Sequence, residues 1–309
     1  MPASPTPHDA HADRRAAIAA AIAIVATVPF IQIDVVRAAW EPISVLLNLQ
    51  GGPKAVSASV LSDHEIEVLD SMSPQGQASL LLERSINHFQ GANEQIEARA
   101  GGWLGRIALD GTDGTLKGLF TTALNSDDLR VREAAIAIDL AARNLERSTA
   151  TVERLEAAAQ SGEQGPRANA LWDLGLLGSR GLERERIGLI LMSAVHDPNV
   201  NIRYWAVEGL SYLATDDSIA PLLEILHDDA SPMIRERAAC GLAQSGMLSA
   251  QQRRSAIPRL LDFSDDGGME PETRKWVFQA LRDITGQSLP HDSHAWREWY
   301  RASIARQPQ

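Results

Sequence analysis

The residues of this chain best suited to chemistry are its histidines, its paired aspartates and one thiol. Their spacing decides what each could do. His291 and His294 stand three apart, which puts two imidazoles on one side of a helix, as two ligands of a metal would be. Pro290 adjoins them and no third ligand follows nearby, so a helix start capped by Asp292 or Ser293 is the expected reading. His196 and His227 each precede a turn aspartate, where a solvated histidine is ordinary. The acidic pairs Asp216-Asp217, Asp228-Asp229 and Asp265-Asp266 lack the alternating ligands and closing glutamate of a calcium loop, and turn and cap chemistry accounts for them. Cys240 is the single cysteine, which excludes an intrachain disulfide and a multi-cysteine zinc site. No G-x-S-x-G, G-x-x-x-x-G-K or H-E-x-x-H occurs. The sequence therefore implies no metal, no cofactor and no catalytic residues.

Composition narrows the partners. Of 309 residues, 44% are hydrophobic and 22% charged, ordinary for a chain with a packed core. Formal net charge is −11. A large nucleic-acid footprint needs clustered Lys and Arg to displace counterions, so no nucleic acid is expected as partner. Binding to an anionic lipid surface is disfavoured for the same reason.

Residues 1–15 are rich in Pro, Ala, His and Asp and read as a disordered tail. Arg14-Arg15 then precede a charge-free stretch from Ala16 to Ile33, within an apolar helix expected over 16–37. Eighteen uncharged residues stand at the lower limit for spanning a bilayer, and the two arginines suit a cytoplasmic N-terminus. Ile18, Ile22, Val25 and Val28 also recur at helical spacing, as in a buried helix. Two localisations stay open: cytoplasmic, or membrane-anchored through residues 16–33.

The stretch 38–113 reads as an N-terminal helical region without repeats. Ser62 with Glu65 fits a capping box, and Ser73-Pro74 fits an N-cap followed by a first-turn proline. From 114 to 290 the pattern repeats. Five helices carry an early arginine, in Val131-Arg132, Pro166-Arg167, Ile202-Arg203, Ile234-Arg235 and Thr273-Arg274, spaced 32 to 39 residues apart. Three and four positions on come Ala135 and Ile136, Ala170 and Leu171, Ala206 and Val207, Ala238 and Ala239, Val277 and Phe278. Seven on come Leu174, Leu210, Leu242 and Leu281; the first repeat departs, with Asp139 there and Leu140 one later. These offsets line one side of a helix, with small residues allowing close approach. Amphipathic helices precede at least some of them, and acidic turns join the two.

This unit resembles the HEAT repeat and the PBS-lyase-type HEAT-like repeats of bacterial proteins. The turn aspartates Asp128, Asp197 and Asp228, the five arginines and the Ala-Leu stripe carry the resemblance. It implies an all-α fold: an α-solenoid of about five helix pairs, with the N-terminal helical region before it and a C-terminal helical cap over 291–309. By the resemblance, turn aspartates pair with Arg132, Arg167, Arg203, Arg235 and Arg274 in a ladder along the solenoid. The second unit departs, with Gly162-Glu163-Gln164-Gly165-Pro166 where the Asp turn belongs. Stacking is obligatory because no pair can bury its apolar face alone.

Function follows less directly, since such repeats serve many purposes. Di-iron hydroxylases of this fold use repeated His-Glu dipeptides, and only His64-Glu65 occurs here, outside the repeats. DNA glycosylases of this fold need a basic groove. The expected function is a non-catalytic scaffold for a protein partner. The alternatives are a phycobilin-lyase-like enzyme and a purely structural spacer in an assembly. Positions one, two, five and nine after each arginine avoid the apolar stripe, and the resemblance makes that side concave. Trp172, Tyr204, Trp205, Glu208, Tyr212, Lys275 and Trp276 collect there, in a chain with only seven Trp, three Tyr and five Phe. Aromatic residues are enriched at binding hot spots, so this is the expected binding surface.

Overall fold

The computed structural model describes residues 59–110 and 114–305. The chain divides into two units, Met1–Ser57 and Ala58–Gln309, and every described residue lies in the second. Among the described residues secondary structure is helical, apart from one isolated bridge between Val60 and Gln90. The expected tail over 1–15 and apolar helix over 16–37 lie outside the described residues.

Three helices come first: α1 (Asp63–Ser71), α2 (Pro74–Ile86) and α3 (Ala92–Trp103). Local chemistry sets the starts of the first two as the sequence predicts. Ser62 Oγ accepts from the Glu65 amide at 3.2 Å while Glu65 Oε2 accepts from the Ser62 amide at 3.0 Å. Ser73 Oγ caps α2 at the Gly76 amide, ahead of Pro74 in the first turn.

Five helix pairs follow, each a first helix and a second helix that carries the recurring arginine. They are α4 (Thr115–Leu124) with α5 (Leu129–Ala142), α6 (Thr149–Ala159) with α7 (Gln164–Ser179), and α8 (Arg184–Ala194) with α9 (Val200–Leu213). Next come α10 (Ile219–Asp228) with α11 (Pro232–Ala243), then the short α12 (Ala250–Ser255), and α13 (Ile257–Asp265) with α14 (Pro271–Thr285). A last helix, α15 (Ser293–Ala305), brings the fully buried Trp296 onto the core, its Nε1 donating to Pro290 O at 2.9 Å.

From α7 onward the second helices pack directly on one another, while the first helices rest mainly on their own partners. That puts the second helices on the inner side of the solenoid. The contact between α7 and α9 is backbone to backbone. A Cβ added to Gly175 would sit 2.5 Å from Gly209 Cα and 2.7 Å from its carbonyl oxygen; one added to Gly209 would sit 2.8 Å from Leu171 O. No side chain fits at either position.

Helix α5 behaves differently from the other second helices. Ten of its 14 residues are buried. Val131, Ala134, Ala135, Ala137, Ile138 and Ala141 belong to the N-terminal core with Leu69, Leu82, Ile96 and Trp103. Ile136 and Leu140 belong to the repeat core with Leu171, Leu174 and Tyr212. A helix apolar on all sides must be covered on all sides, and α5 is, by two cores at once.

One expectation is corrected here. Among the described residues no helix is long and apolar enough to cross a membrane. The longest, α7, has 16 residues, about 24 Å, where a bilayer needs roughly 20 predominantly apolar residues. The membrane-anchored localisation has no support in this structure, and residues 16–33 lie outside the described residues.

Candidate functional site

Two surfaces hold the residues singled out by type and spacing: the edge where the arginines stand, and the inner face of the second helices. At the edge, each recurring arginine fastens a carbonyl just ahead of its own helix. Arg132 Nε donates to Ser126 O at 2.5 Å, Arg167 Nε to Ala159 O at 3.1 Å, Arg203 Nη1 to Asp197 O at 3.0 Å and Arg235 Nη1 to Asp229 O at 2.8 Å. Arg274 donates to Asp266 O. The carbonyls at a first helix's end lack intrahelical partners, and a guanidinium there answers both the orphan acceptors and the negative end of the helix dipole.

Three of the five also reach forward to a carboxylate of the following pair. Arg167 pairs with Asp197. Arg203 pairs with Asp229, and Arg235 with Glu270, adding a bond to Thr273 Oγ1 at 2.9 Å. Burial alone would raise the Asp197 carboxyl, but the Asn199 amide and Arg167 outweigh it and hold it below the usual range. Asp128 stands outside this series. It caps α5 through the Arg130 amide at 2.9 Å and pairs with the Arg130 side chain. Asp228 pairs with His227 instead, Oδ1 to Nδ1 at 2.5 Å, and His227 Nε2 bridges on to Asp266 Oδ2 at 2.9 Å.

Arg132 faces a unit with no turn aspartate and turns elsewhere. Its Nη1 donates to Gln244 O at 3.0 Å and Gly246 O at 2.6 Å, both just beyond α11. At the other end of α5, Arg143 Nη1 reaches Asp173 Oδ1 of α7 at 3.4 Å. Glu133 faces Arg180, just past α7, at 3.7 Å. Helix α5 therefore lies across the C-terminal part of the inner face.

That placement sorts the inner-face residues. Tyr212, nine positions after Arg203, is 5% exposed, and burial pushes its hydroxyl up to about 12. Glu208 is buried and salt-bridged to Arg237 at 3.0 Å; burial raises its carboxyl against the pull of Arg237 and the Tyr204 hydroxyl. Trp172, Tyr204 and Trp205 stay half-buried and edge-on to one another: Trp172–Trp205 at 5.9 Å and Tyr204–Trp205 at 5.4 Å between ring centroids. Trp172 also meets the Tyr212 ring at 4.7 Å. Trp276 is half-buried, and Lys275 is exposed and paired with Glu272 at 2.7 Å, both on α14.

Periodicity did not single out two buried acids, Asp139 and Asp173. Asp139 of α5 accepts from Arg143 Nε at 2.9 Å, so one guanidinium serves both Asp139 and Asp173. Burial raises both carboxyls, Asp173 to about 6, against the pull of Arg143. The signal available was Asp139 itself, a charge at the seventh position where the other repeats have leucine.

The metal candidates resolve plainly. His291 stacks on Phe278 at 5.0 Å with Arg282 Nη1 at 2.6 Å from its Nε2, and His294 lies 3.7 Å from Glu298. Among the described residues no group of three or more His, Cys, Asp or Glu side chains could hold a metal. Cys240 is half-buried on α11, which pushes its thiol up.

Comparison with known proteins adds a fold-level match. Residues 151–243 match the family model described as HEAT repeats. No curated protein matches the chain. Among solved structures, the chain is similar to an engineered protein at 17% identity, covering 72% of this chain and 95% of that one, with a TM-score of 0.34. It is also similar to a designed armadillo repeat protein at 17% identity, covering 71% and 98%, with a TM-score of 0.31. Likenesses this distant say nothing further of the chain.

Proposed function

We propose that this HEAT-like helical solenoid is a non-catalytic scaffold that captures a protein partner on its inner face. One observation carries the reading: Trp172, Tyr204 and Trp205 form a three-ring cluster that stays half-buried where Glu208 and Tyr212 are buried. Edge-on contacts hold the rings in place before a partner arrives, so little side-chain entropy is lost on docking. Rigid aromatic anchors of this kind dominate the energetics of interfaces.

A photocrosslinking amino acid placed at position 204 tests this in the native cell. Position 189, exposed on the outer helix α8, serves as the reference. Defined protein adducts from 204 and few from 189 are expected. Adducts from 189 alone, or from neither, sink the inner-face assignment.

A further inference from the structure

The joint between the second and third helix pairs is fastened on both sides. Arg167 ties it to Asp197 on the side of the second helices, and Arg186 of α8 ties it to Glu156 of α6 on the side of the first. The joint between the fourth and fifth pairs is fastened likewise, with one difference. Arg235 holds Glu270 and Thr273 on the side of the second helices, but on the first helices the cation is a histidine. His227, in the last turn of α10, reaches Asp266, just past α13, from Nε2 to Oδ2 at 2.9 Å. Its Nδ1 stands 2.5 Å from Asp228 Oδ1.

Only an imidazolium can hold both partners. An ionised carboxylate only accepts, so a ring bonded to one at each nitrogen must donate from both. A neutral ring has one N–H and turns a lone pair toward the other carboxylate. Among the described residues, the cations nearby are committed elsewhere. Arg274 donates to the backbone carbonyl of Asp266, and Arg259 stacks on the Phe263 ring that His227 lies against. Arg203 is taken up by Asp229, Arg235 by Glu270, and Arg297 by Asp262 and Asp265. Glu224, one turn back on α10, adds a further negative charge. Apart from this bridge α10 and α13 touch over few residues, whereas α11 packs broadly on α14.

We infer that His227, Asp228 and Asp266 form a pH-dependent latch on the joint between the fourth and fifth helix pairs, closed while the imidazole holds its second proton and released when it gives that proton up. Release frees α13 from α10 while Arg235 keeps α14 fastened to α11, so the fifth pair and α15 swing about the contact between α11 and α14. Burial disfavours the charged ring, but the two carboxylates outweigh it and raise its pKa above the ordinary histidine value. The latch is therefore fully closed below the unfolded pKa and opens as pH rises through the folded one. Trp276 and Lys275 of α14 travel with the swing, and the ring cluster on α7 and α9 does not. The inference stands independently of the scaffold reading.

Electron–electron double resonance between spin labels on the full chain tests the latch. In a Cys240→Ser background, Ala220→Cys of α10 with Arg301→Cys of α15 reports this joint. Glu153→Cys of α6 with Ala220→Cys reports the two joints before it; all three label positions are exposed. From pH 6 to pH 8.5 the 220–301 distance distribution is expected to lengthen or broaden, and the 153–220 distribution to stay as it is. His227→Gln is expected to show the pH 8.5 distribution at both pH values, while His196→Gln, at an exposed turn, responds as the parent does. A 220–301 distance that ignores pH in the parent overturns the latch, as does a response that survives His227→Gln. Equal changes in both label pairs also overturn it, since they mark a general loosening. Thermal melts check folding, and should His227→Gln unfold, the near-isosteric Asp266→Asn decides alone. It is expected to move the midpoint of the response to lower pH, and an unmoved midpoint overturns the latch.

Discussion

Arg203 grips Asp229 with two hydrogen bonds, Nε to Oδ2 at 2.8 Å and Nη2 to Oδ1 at 3.1 Å, and so ties the third helix pair to the fourth. The geometry is bidentate, the arrangement in which a guanidinium does more than a lysine could. Both side chains are largely buried, so removing one strands the other. Arg203→Ala is expected to cost about 1–3 kcal/mol in urea unfolding. Arg235→Ala, which also loses its bond to Thr273, belongs in the same range. Arg254→Ala, on an exposed residue of α12, should be near neutral. Equal melting of all three variants would remove the arginine edge from the account of stability.

Gly175→Ala is the sharpest test of the contact between α7 and α9. A methyl there meets the Gly209 backbone at 2.5 Å, so relief must come from moving a helix rather than turning a side chain. A loss of about 1–3 kcal/mol is expected, the usual range for overpacking. Gly118→Ala, where nothing lies within 4 Å, is the control and should be neutral or slightly stabilising, since alanine favours a helix. A Gly175→Ala variant as stable as the parent would mean the helices are further apart than described.

Asp173 gives the protein a pH signature of unusual sign. Its carboxyl titrates at about 6 when folded, above the unfolded carboxylate range, so in that window the folded state binds more protons than the unfolded. Its contribution to stability therefore falls as pH rises from about 4 to about 6. Asp173→Asn removes the titration, and the variant's stability relative to the parent should improve by about 1–2 kcal/mol between pH 4.5 and pH 7. A difference that stays flat across that range would contradict a buried, under-compensated carboxyl.

His227 has the same sign from a different cause, because attraction to carboxylates rather than burial raises it. Burial disfavours its protonation, but the carboxylates of Asp228 and Asp266 outweigh that and raise its pKa above the ordinary histidine value. The stability it contributes is fully present below the unfolded pKa and is lost as pH rises through the folded one. NMR titration of the parent should place the His227 midpoint above the ordinary histidine value. In His227→Gln the loss of stability should be larger at pH 6 than at pH 8. A midpoint at or below the ordinary value would break the proposed bridge between α10 and α13.

Much of this architecture was legible in the residues alone. Leu174, Leu210, Leu242 and Leu281 recur at one offset from an arginine, and each lies fully buried or nearly so. Periodicity of that kind reports which side of a helix is apolar, and so it reveals helices and their pairing. It does not report which neighbour covers that side. Tyr212 illustrates the limit: its offset matches the inner face, and only the path of α5 decides that it is buried. Asp139 illustrates it again, since a charge interrupting an apolar stripe announces something unusual without naming Arg143 or Asp173. The forward reach of Arg203 to Asp229 instead of Asp228 also escaped, because a shift of one residue in a turn is set by cap geometry that spacing does not encode.

The bond from Arg132 to the carbonyls of Gln244 and Gly246 changes how the molecule must assemble. In an ideal repeat array every unit touches only its neighbours, and folding can begin anywhere and spread. Here the guanidinium leaves the ribosome more than a hundred residues before the carbonyls that receive it. Until those arrive, the Arg132 guanidinium lacks these two acceptors, and the bond can close only after three further pairs exist. The first pair is thus fastened to the fourth, a long-range closure of the kind that costs loop entropy before it forms.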